Sequence, residues 1–588
     1  MEVRRLFELL AYQEEKYPHP HALSYKSGDL WHRTSSKEAL EQVQLIARAL
    51  LASGLEKGDR VALISRNRTE WCLADLAIMM AGGVVVPMHA NMKAEEVGVI
   101  LEHAEITYAF VENAEKTSLL DQTGYEGLKK VYTFDEAVGY TNLQGMVTSA
   151  DKHGVGYLRA RSAAVRPADL ATIIYTSGTT GTPRGVMLSH QNILSNVKAA
   201  VGILPLNHTH RVLSFLPLSF MFERMVIYTY LYTGVDIYFA ESPDALSENL
   251  KEVRPHFIST VPKVLDRVYQ SIETYGDTLT GYQKTVFNWA KGVALAYRLD
   301  KRQGPIYHMQ LRLARKLVLN NWKKALGGEI IGVMSGAAAL PEKLCRVFNA
   351  AGINVREGYG QTEAAPVLTF NRFETGWVRP GSVGTAIPGV ELKIGKNQEI
   401  LAKGENVMMG YYKDEEATAE VIDRKGWLHT GDMGKIDKDG FVRITGRLKE
   451  LFKNAGGVDI APKPIENQLL NSPFVSHALV VGENRPFIGA IIVPDRRALR
   501  SWAEAKGIEA NMYPELLQHP MVKARFKEEA ERVSAHFPEY EHLKFICLVP
   551  DEWKVATGEL THTLKVRRFL LTQRYAKLIS RQYEEVKA

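Results

Sequence analysis

The sequence predicts an α/β protein with more than one domain. The expected architecture is a large N-terminal domain of helix-covered, mainly parallel sheets with a small β subdomain, then a small C-terminal α+β domain. Three observations predict it. The chain has 588 residues, beyond the size at which a single core stops growing. Apolar, strand-like runs alternate with helical stretches over most of its length. Between about 381 and 446 that alternation gives way to short runs punctuated by glycine and charge.

Taken in order, the N-terminus "MEVRRLFELLAYQEEKYPHP" places acids where a signal peptide needs an apolar centre. From Arg60, "RVALIS", "GVVVPM" and "ITYAFV" read as strands and "EEVGVILEHA" as a helix. The run "LAIMMAGGVVVPM" (Leu76 to Met88) is too short to span a bilayer and reads as buried helix followed by buried strand. A second alternation runs from "VDIYFA" through "FISTV" to "IIGVMSG". The runs "VELKIG", "KGENVMMGYY" and "FVRITG" (Gly381 to Arg447) suggest an antiparallel β subdomain. Beyond "TGRLKELFKNAGG" come "SHALVVGE" and "GAIIVP", which read as a compact α+β unit, and the chain ends in a basic amphipathic helix, "LKVRRFLLTQRYAKLISRQYEE". The boundary falls near Gly446 to Lys449, dividing the chain into 1–446 and 447–588.

Composition narrows the function. Hydrophobic residues make up 45% and charged residues 24%, as in ordinary globular proteins. A net charge of +6 suits an anionic ligand or membrane surface and gives no sign of nucleic-acid binding. Cys72, Cys345 and Cys547 are odd in number and lack metal-ligand spacing, which suggests a reducing, cytoplasmic compartment. There is no internal repeat, and no feature sets an oligomeric state.

The stretch "YTSGTTGTPRGVMLSH" from Tyr175 raises the sharpest question. It follows the strand "ATIIY" and precedes a helical pattern from Gln191, with Ser189 as cap and Ile193, Leu194, Val197 and Val201 as buried face. Glycines let backbone N–H groups approach phosphate oxygens, hydroxyls add donors, and Arg184 adds charge. The spacing is neither a Walker A loop nor a dinucleotide fingerprint. On composition alone, a surface turn remains the alternative.

"TSGTTGTPRGV" resembles the phosphate-binding signature of the adenylate-forming (AMP-binding) superfamily, which includes acyl-CoA synthetases, luciferases and nonribosomal adenylation domains. "EGYGQTE" (Glu357 to Glu363), "LHTGDMG" (Leu428 to Gly434), "GRLKELFKNAGG" (Gly446 to Gly457) and "GELTHTLKVRR" (Gly558 to Arg568) follow in that family's order. One departure is Arg184, where the family usually has lysine; arginine keeps the charge and offers a planar fork.

The resemblance implies ATP, Mg²⁺ and CoA as reactants and cofactor, and a fatty acid as substrate. It assigns the ATP phosphates to Thr176, Ser177, Gly178, Thr179, Thr180, Gly181, Thr182 and Arg184. Glu363 is the implied Mg²⁺ ligand and Thr362 the α-phosphate contact. Glu357, Gly358, Tyr359 and Gly360 form one wall of the nucleotide site, with Ser335, Gly336, Ala337 and Ala338 opposite. Asp432 is similar to the carboxylate that accepts the ribose hydroxyls, with Arg447 as its companion. Lys565 resembles the lysine that bridges carboxylate and α-phosphate, and Lys449 the hinge about which the small domain turns. Lys453, Gly456 and Gly457 face the thiol site in that scheme. Taken singly, these residues read as capped turns, turn aspartates and solvated lysines.

Three features lean toward a long acyl chain. Gly360 stands where acetate-activating relatives carry a pocket-closing tryptophan. "SFLPLSFMFERMVIYTYLYTGVDIYFAES" (Ser214 to Ser242) resembles an acyl-tunnel segment, with Phe220 where histidine is usual; its aromatics also suit a core. The helical insert containing "VFNWA" and "LARKLVLNNWKKALGG" is similar to inserts of long-chain enzymes. The leading reading is a long-chain fatty acyl-CoA synthetase. An acyl-AMP ligase that loads a carrier protein, and a silent acyl- or nucleotide-binding relic, are the alternatives. The basic stretch Lys565 to Arg581 offers either peripheral contact with anionic lipid or a solvated face.

Overall fold

The structure is a computed structural model that describes residues 1–149, 154–177, 183–510, 512–561 and 565–587. The chain forms two compact units. The first comprises Met1–Lys393, Leu401–Thr430 and Ile436–Val442; the second comprises Ile394–Ile400, Gly431–Lys435 and Arg443–Ala588. The segment expected as a β subdomain carries strands Val390–Ile394, Glu399–Gly404, Gly410–Tyr411, Leu428–Ile436 and Val442–Arg447, and the limits of the units fall within it.

The first unit is built on two large sheets. In one, strands Leu170–Ser177, Val84–Met88, Arg60–Ile64, Tyr108–Val111, Lys130–Thr133 and Thr141–Asn142 lie side by side and parallel. Pro183–Ser189 and then Gly410–Tyr411 extend its edge antiparallel. The other sheet has a parallel interior that includes Arg211–Ser214, Phe257–Thr260, Gly332–Ser335 and Val355–Gly360. Val367–Phe370 and Thr385–Ala386 add antiparallel strands at one edge.

The apolar run beginning at Leu76 divides as its sequence suggests. Helix Thr69–Met80 is buried almost all round and strand Val84–Met88 is buried throughout. Gly82 takes a φ of +87° at the reversal between them, a conformation that costs glycine little. One core cluster draws on both sheets and on helices Thr69–Met80, His190–Val201 and Met221–Thr233. Thr69–Met80 and Met221–Thr233 are covered on nearly every side, whereas His190–Val201 buries one face.

That core also contains a buried polar cluster. Arg224 is fully buried, pairs with Asp75, and donates to Thr172 Oγ1 at 2.7 Å and to the Tyr228 hydroxyl at 2.8 Å. Tyr228 in turn donates to Asp75 at 2.5 Å. A buried guanidinium needs such satisfaction on all sides. The bond to Thr172 ties helix Met221–Thr233 to the strand that leads into the glycine-rich loop. Within the stretch Ser214 to Ser242, Tyr228 and Tyr230 are accordingly core residues.

In the second unit, strands Val475–Val481, Ile488–Pro494 and Leu543–Leu548 form a three-stranded sheet. Side chains alternate between its faces. Ala478, Val480, Ala490 and Ile492 pack against Leu499 and Phe526, whereas Leu479, Val481, Ile491 and Val493 pack against Leu571, Ile579 and Tyr583. The basic C-terminal stretch is two helices, Arg568–Arg574 and Ala576–Lys587, rather than one. Much of its apolar side is docked on the sheet, while Phe569, Leu570 and Val586 are exposed. Among the described residues, no helix is long and apolar enough to cross a membrane.

Candidate active site

The loop of interest closes a hairpin. Strands Leu170–Ser177 and Pro183–Ser189 pair antiparallel, with Thr176 opposite Arg184 and Tyr175 opposite Gly185. Gly178, Thr179, Thr180, Gly181 and Thr182 lie outside the described residues. After the hairpin, Ser189 caps helix His190–Val201 by accepting from the Asn192 N–H at 3.1 Å. Ile193, Leu194 and Val197 are buried as expected, but Val201 is only half-buried at the frayed end.

Arg184 leaves the hairpin toward Gly410–Tyr411, the strand paired along the hairpin's outer edge. Its guanidinium lies 5.3 Å from the centre of the Tyr411 ring, and Nε is 3.7 Å from Asp414 Oδ2. The Tyr411 hydroxyl donates to Glu363 Oε1 at 3.0 Å. Burial first, and then the Glu363 charge, push the Tyr411 pKa well above the usual phenol range. A cavity of about 320 Å³ adjoins this point, lined in part by His103, Tyr175, Arg184, Tyr412 and Asp414.

Thr362 and Glu363 sit on a short 3₁₀ turn, Thr362–Ala364. Two buried asparagines clamp its backbone. Asn196 donates to the Val367 carbonyl at 2.9 Å and accepts from the Val367 N–H at 3.1 Å. Asn406 donates to the Ala364 carbonyl at 2.9 Å. The helix that follows the glycine-rich loop therefore fixes the turn that carries Glu363.

Ser335 and Glu357 are register partners at the carboxyl ends of adjacent parallel strands. Ligands of open α/β sheets gather at such ends. The backbone beyond Ser335 turns with Ala337 at a φ of +66°, and a Cβ on Gly336 would meet the Phe222 ring at 3.2 Å. The Ser335 hydroxyl is buried without a hydrogen-bond partner among the described residues. Glu357 accepts from the Leu340 N–H at 2.8 Å, and burial raises its carboxyl to about 8.

Gly358, Tyr359 and Gly360 continue into the antiparallel edge, with a register shift between Tyr359 and Gly360. A Cβ on Gly358 would meet the Phe370 ring at 2.9 Å, and one on Gly360 would lie 1.9 Å from the Pro366 carbonyl oxygen. This close approach of backbone is sufficient reason for glycine at 360. Phe220 precedes helix Met221–Thr233 and stacks on His89 at 5.7 Å. A narrow apolar crevice of about 10 Å³ lies between helix His190–Val201 and the strands around Met334 and Phe370.

The second unit gathers another set. Arg447 donates through Nε to Asp432 Oδ1 at 2.9 Å, with the carboxylate buried. Lys565 lies ahead of the terminal helices instead of within one, and its N–H donates to the Thr561 hydroxyl at 3.0 Å. The residue as a whole is exposed. Its amine is nonetheless surrounded deeply enough that desolvation, and next the Arg447 charge, lower its pKa, with Asp432 opposing them. These contributions place Lys565, Arg447 and Asp432 in one neighbourhood.

Lys449 is exposed on the 3₁₀ turn Leu448–Glu450. Lys453 is paired with Asp459 at 3.0 Å and largely solvated. Gly456 and Gly457 form a turn around Asn454, whose Oδ1 accepts from the Gly456 and Val458 N–H groups, each at 3.0 Å. Gly457 has a φ of +76°.

The sequence reading missed Tyr411, Asp414, Asn196 and Asn406. "GYY" and an asparagine in an amphipathic helix carry no local signal of a distant partner.

Tyr411 thus brings the Arg184 cation and the Glu363 carboxylate together beside the antiparallel pair Leu170–Ser177 and Pro183–Ser189, an arrangement suited to a phosphorylated ligand. The sequence matches the AMP-binding enzyme family over residues 10–412 and the AMP-binding enzyme C-terminal domain over 454–587. The chain belongs to the AMP-binding enzyme family. It is 31% identical to the long-chain-fatty-acid–CoA ligase FadD15 of Mycobacterium bovis over 95% of this chain and 93% of the relative. It is 32% identical to the human long-chain-fatty-acid–CoA ligase 1, covering 94% of this chain and 82% of the other. Among solved structures, the adenylation domain of a Mycobacterium chelonae carboxylate reductase superposes with a TM-score of 0.78 at 21% identity, covering 99% and 91% of the two chains.

Proposed function

We propose that this enzyme is an AMP-forming long-chain fatty acid–CoA ligase of the cytoplasm. The observation that carries the reading is the convergence of Arg184 and Glu363 on Tyr411 beside the glycine-rich hairpin, in a chain matched over most of its length by ligases of that name. A carboxylate resists attack because it is anionic and its oxygen leaves poorly. Its oxygen attacks the α-phosphorus of ATP, the bond to the pyrophosphate oxygen breaks, and an acyl-AMP anhydride forms. The CoA thiolate then attacks the acyl carbon, AMP leaves, and a thioester results.

Each half-reaction needs charge placed in advance. Arg184 and the hairpin backbone hold the triphosphate. Asp432, fixed by Arg447, accepts the ribose hydroxyls. Ser335 to Ala338 and Glu357 to Gly360 flank the adenine. Lys565 donates to the carboxylate and α-phosphate, and the smaller domain turns about Lys449 between half-reactions, presenting Lys453, Gly456 and Gly457 to the thiol.

Mg²⁺ fits the donors present. Among the described residues no cluster of three ligating side chains exists, but Mg²⁺ keeps its waters and needs only one or two carboxylates plus substrate phosphates. Glu363, oriented by Tyr411, would hold it, and the ion would neutralise charge on the departing pyrophosphate.

The test is CoA-dependent AMP release across even-chain acids from acetate to oleate. Activity should rise toward the long acids. AMP formation confined to short acids, or none with any acid, would overturn the reading.

A further inference from the structure

We propose that the helical insert is a docking surface for an anionic lipid bilayer. From Thr278 to Gly328 the sequence holds ten lysines and arginines and a single acid, Asp300, although the whole chain carries only +6. Within this segment Pro305–Ala314, the π-helical Arg315–Leu319 and Asn320–Ala325 follow without a break. At 1.5 Å per residue they make a rod of roughly 30 Å.

One side of the rod is core, where Leu311, Ala314, Leu319 and Trp322 are buried. The solvent side is apolar as well. Ile306, Met309, Leu313 and Leu317 are 70%, 65%, 49% and 47% exposed. Steps of three, four and four residues align them in one stripe. Lys301, Arg302, Arg312, Lys316 and Lys324 are exposed around it. None of the five has an ion-pair partner among the described residues.

Charge complementarity selects the occupant. A second copy of the chain would bring like charges together across the stripe. A nucleic acid would engage the cations and leave the apolar side chains in water. A bilayer with anionic headgroups satisfies both, since the stripe enters the acyl boundary while the cations meet phosphates. The terminal helices present no such stripe: Leu571, Ile579 and Tyr583 are buried on the sheet, and exposed Phe569 and Leu570 lie far along the chain from exposed Val586. The docking is read from this surface alone; its use, delivering membrane-borne acid to the site, rests on the function proposed above.

The test uses the full chain without ATP, CoA or acid, so it stands apart from the activity assay. Cosedimentation is measured with vesicles of phosphatidylcholine containing phosphatidylglycerol as minor lipid, and with phosphatidylcholine alone. Wild-type protein should bind the mixed vesicles and bind them less as salt rises. Met309→Glu/Leu313→Glu and Arg312→Glu/Lys316→Glu should each lower the partition coefficient by at least about tenfold. Lys577→Glu on the terminal helix should change it little. All variants should keep wild-type AMP release with detergent-dispersed acid, because surface substitutions of this kind barely affect stability. Absence of wild-type binding, or equal loss in Lys577→Glu, would overturn the proposal. So would full displacement by duplex DNA with the apolar pair neutral, or a dimer that the apolar pair dissociates.

Discussion

The Tyr411 hydroxyl donates to Glu363 at 3.0 Å while the Arg184 guanidinium lies over the same ring at 5.3 Å. One side chain therefore orients a carboxylate and provides a π-face for a cation. Tyr411→Phe keeps the ring and removes only the hydrogen bond to Glu363. Bonds to charged groups are worth about 1.5–3 kcal/mol when well shielded, and Glu363 is partly exposed. The expected outcome is a rise on the order of tenfold in the Mg²⁺ needed for half-maximal ATP–pyrophosphate exchange, with unchanged thermal stability. Wild-type Mg²⁺ dependence would show that Tyr411 only packs.

Gly360 carries a second expectation. With its Cβ position 1.9 Å from the Pro366 carbonyl oxygen, even alanine forces backbone to move. Overpacking costs about 1–3 kcal/mol where side chains alone must yield, and here the obstacle is backbone. Gly360→Ala should lower Tm clearly and reduce turnover with short and long acids alike. A stable variant whose preference moves to shorter acids would instead make Gly360 a gate for the acyl chain.

The contrast between these two residues shows how far the sequence could be read. The apolar run from Leu76, the strand entering the loop and the Ser189 cap were legible because periodicity and capping are local. Gly360 was legible as a glycine but not for its reason, which lies in the antiparallel return of Val367–Phe370. Tyr411 was invisible because a two-residue strand, Gly410–Tyr411, gains meaning only when it pairs with Pro183–Ser189. The terminal helices begin at Arg568, beyond Lys565, whose N–H is held by the Thr561 hydroxyl, a contact that periodicity does not register.

Glu357 gives a pH dependence. Its folded carboxyl is raised from 4.5 to about 8, chiefly by burial. A raised acid favours the folded state below the unfolded pKa, and that contribution is lost as pH climbs through the folded one. Between about 4.5 and about 8 the wild type should lose stability relative to Glu357→Gln, with a slope approaching 1.4 kcal/mol per pH unit. Above about 8 the difference should level off. The amide still accepts from Leu340, so that contact is retained. Denaturant midpoints of both proteins across this range measure it. Parallel profiles would mean that Glu357 stays ionised in the fold.

Lys565 separates the two half-reactions. Its amine shares a neighbourhood with Arg447 and Asp432, and in the proposed mechanism it contacts substrate only during adenylation. Removing a donor aimed at developing charge costs roughly 10²–10³-fold in rate. Lys565→Ala should therefore abolish most ATP–pyrophosphate exchange, while chemically supplied acyl-AMP still reacts with CoA at near wild-type rate. Lys449→Pro should do the opposite. Proline's fixed φ suits the 3₁₀ turn Leu448–Glu450 and resists leaving it, so adenylate should form and thioester should not. Both residues are exposed as a whole and neither belongs to a hydrophobic core cluster, so both variants should fold normally by circular dichroism and thermal melting. Equal loss of both half-reactions in Lys565→Ala, with the fold intact, would rule out a lysine that serves adenylation alone.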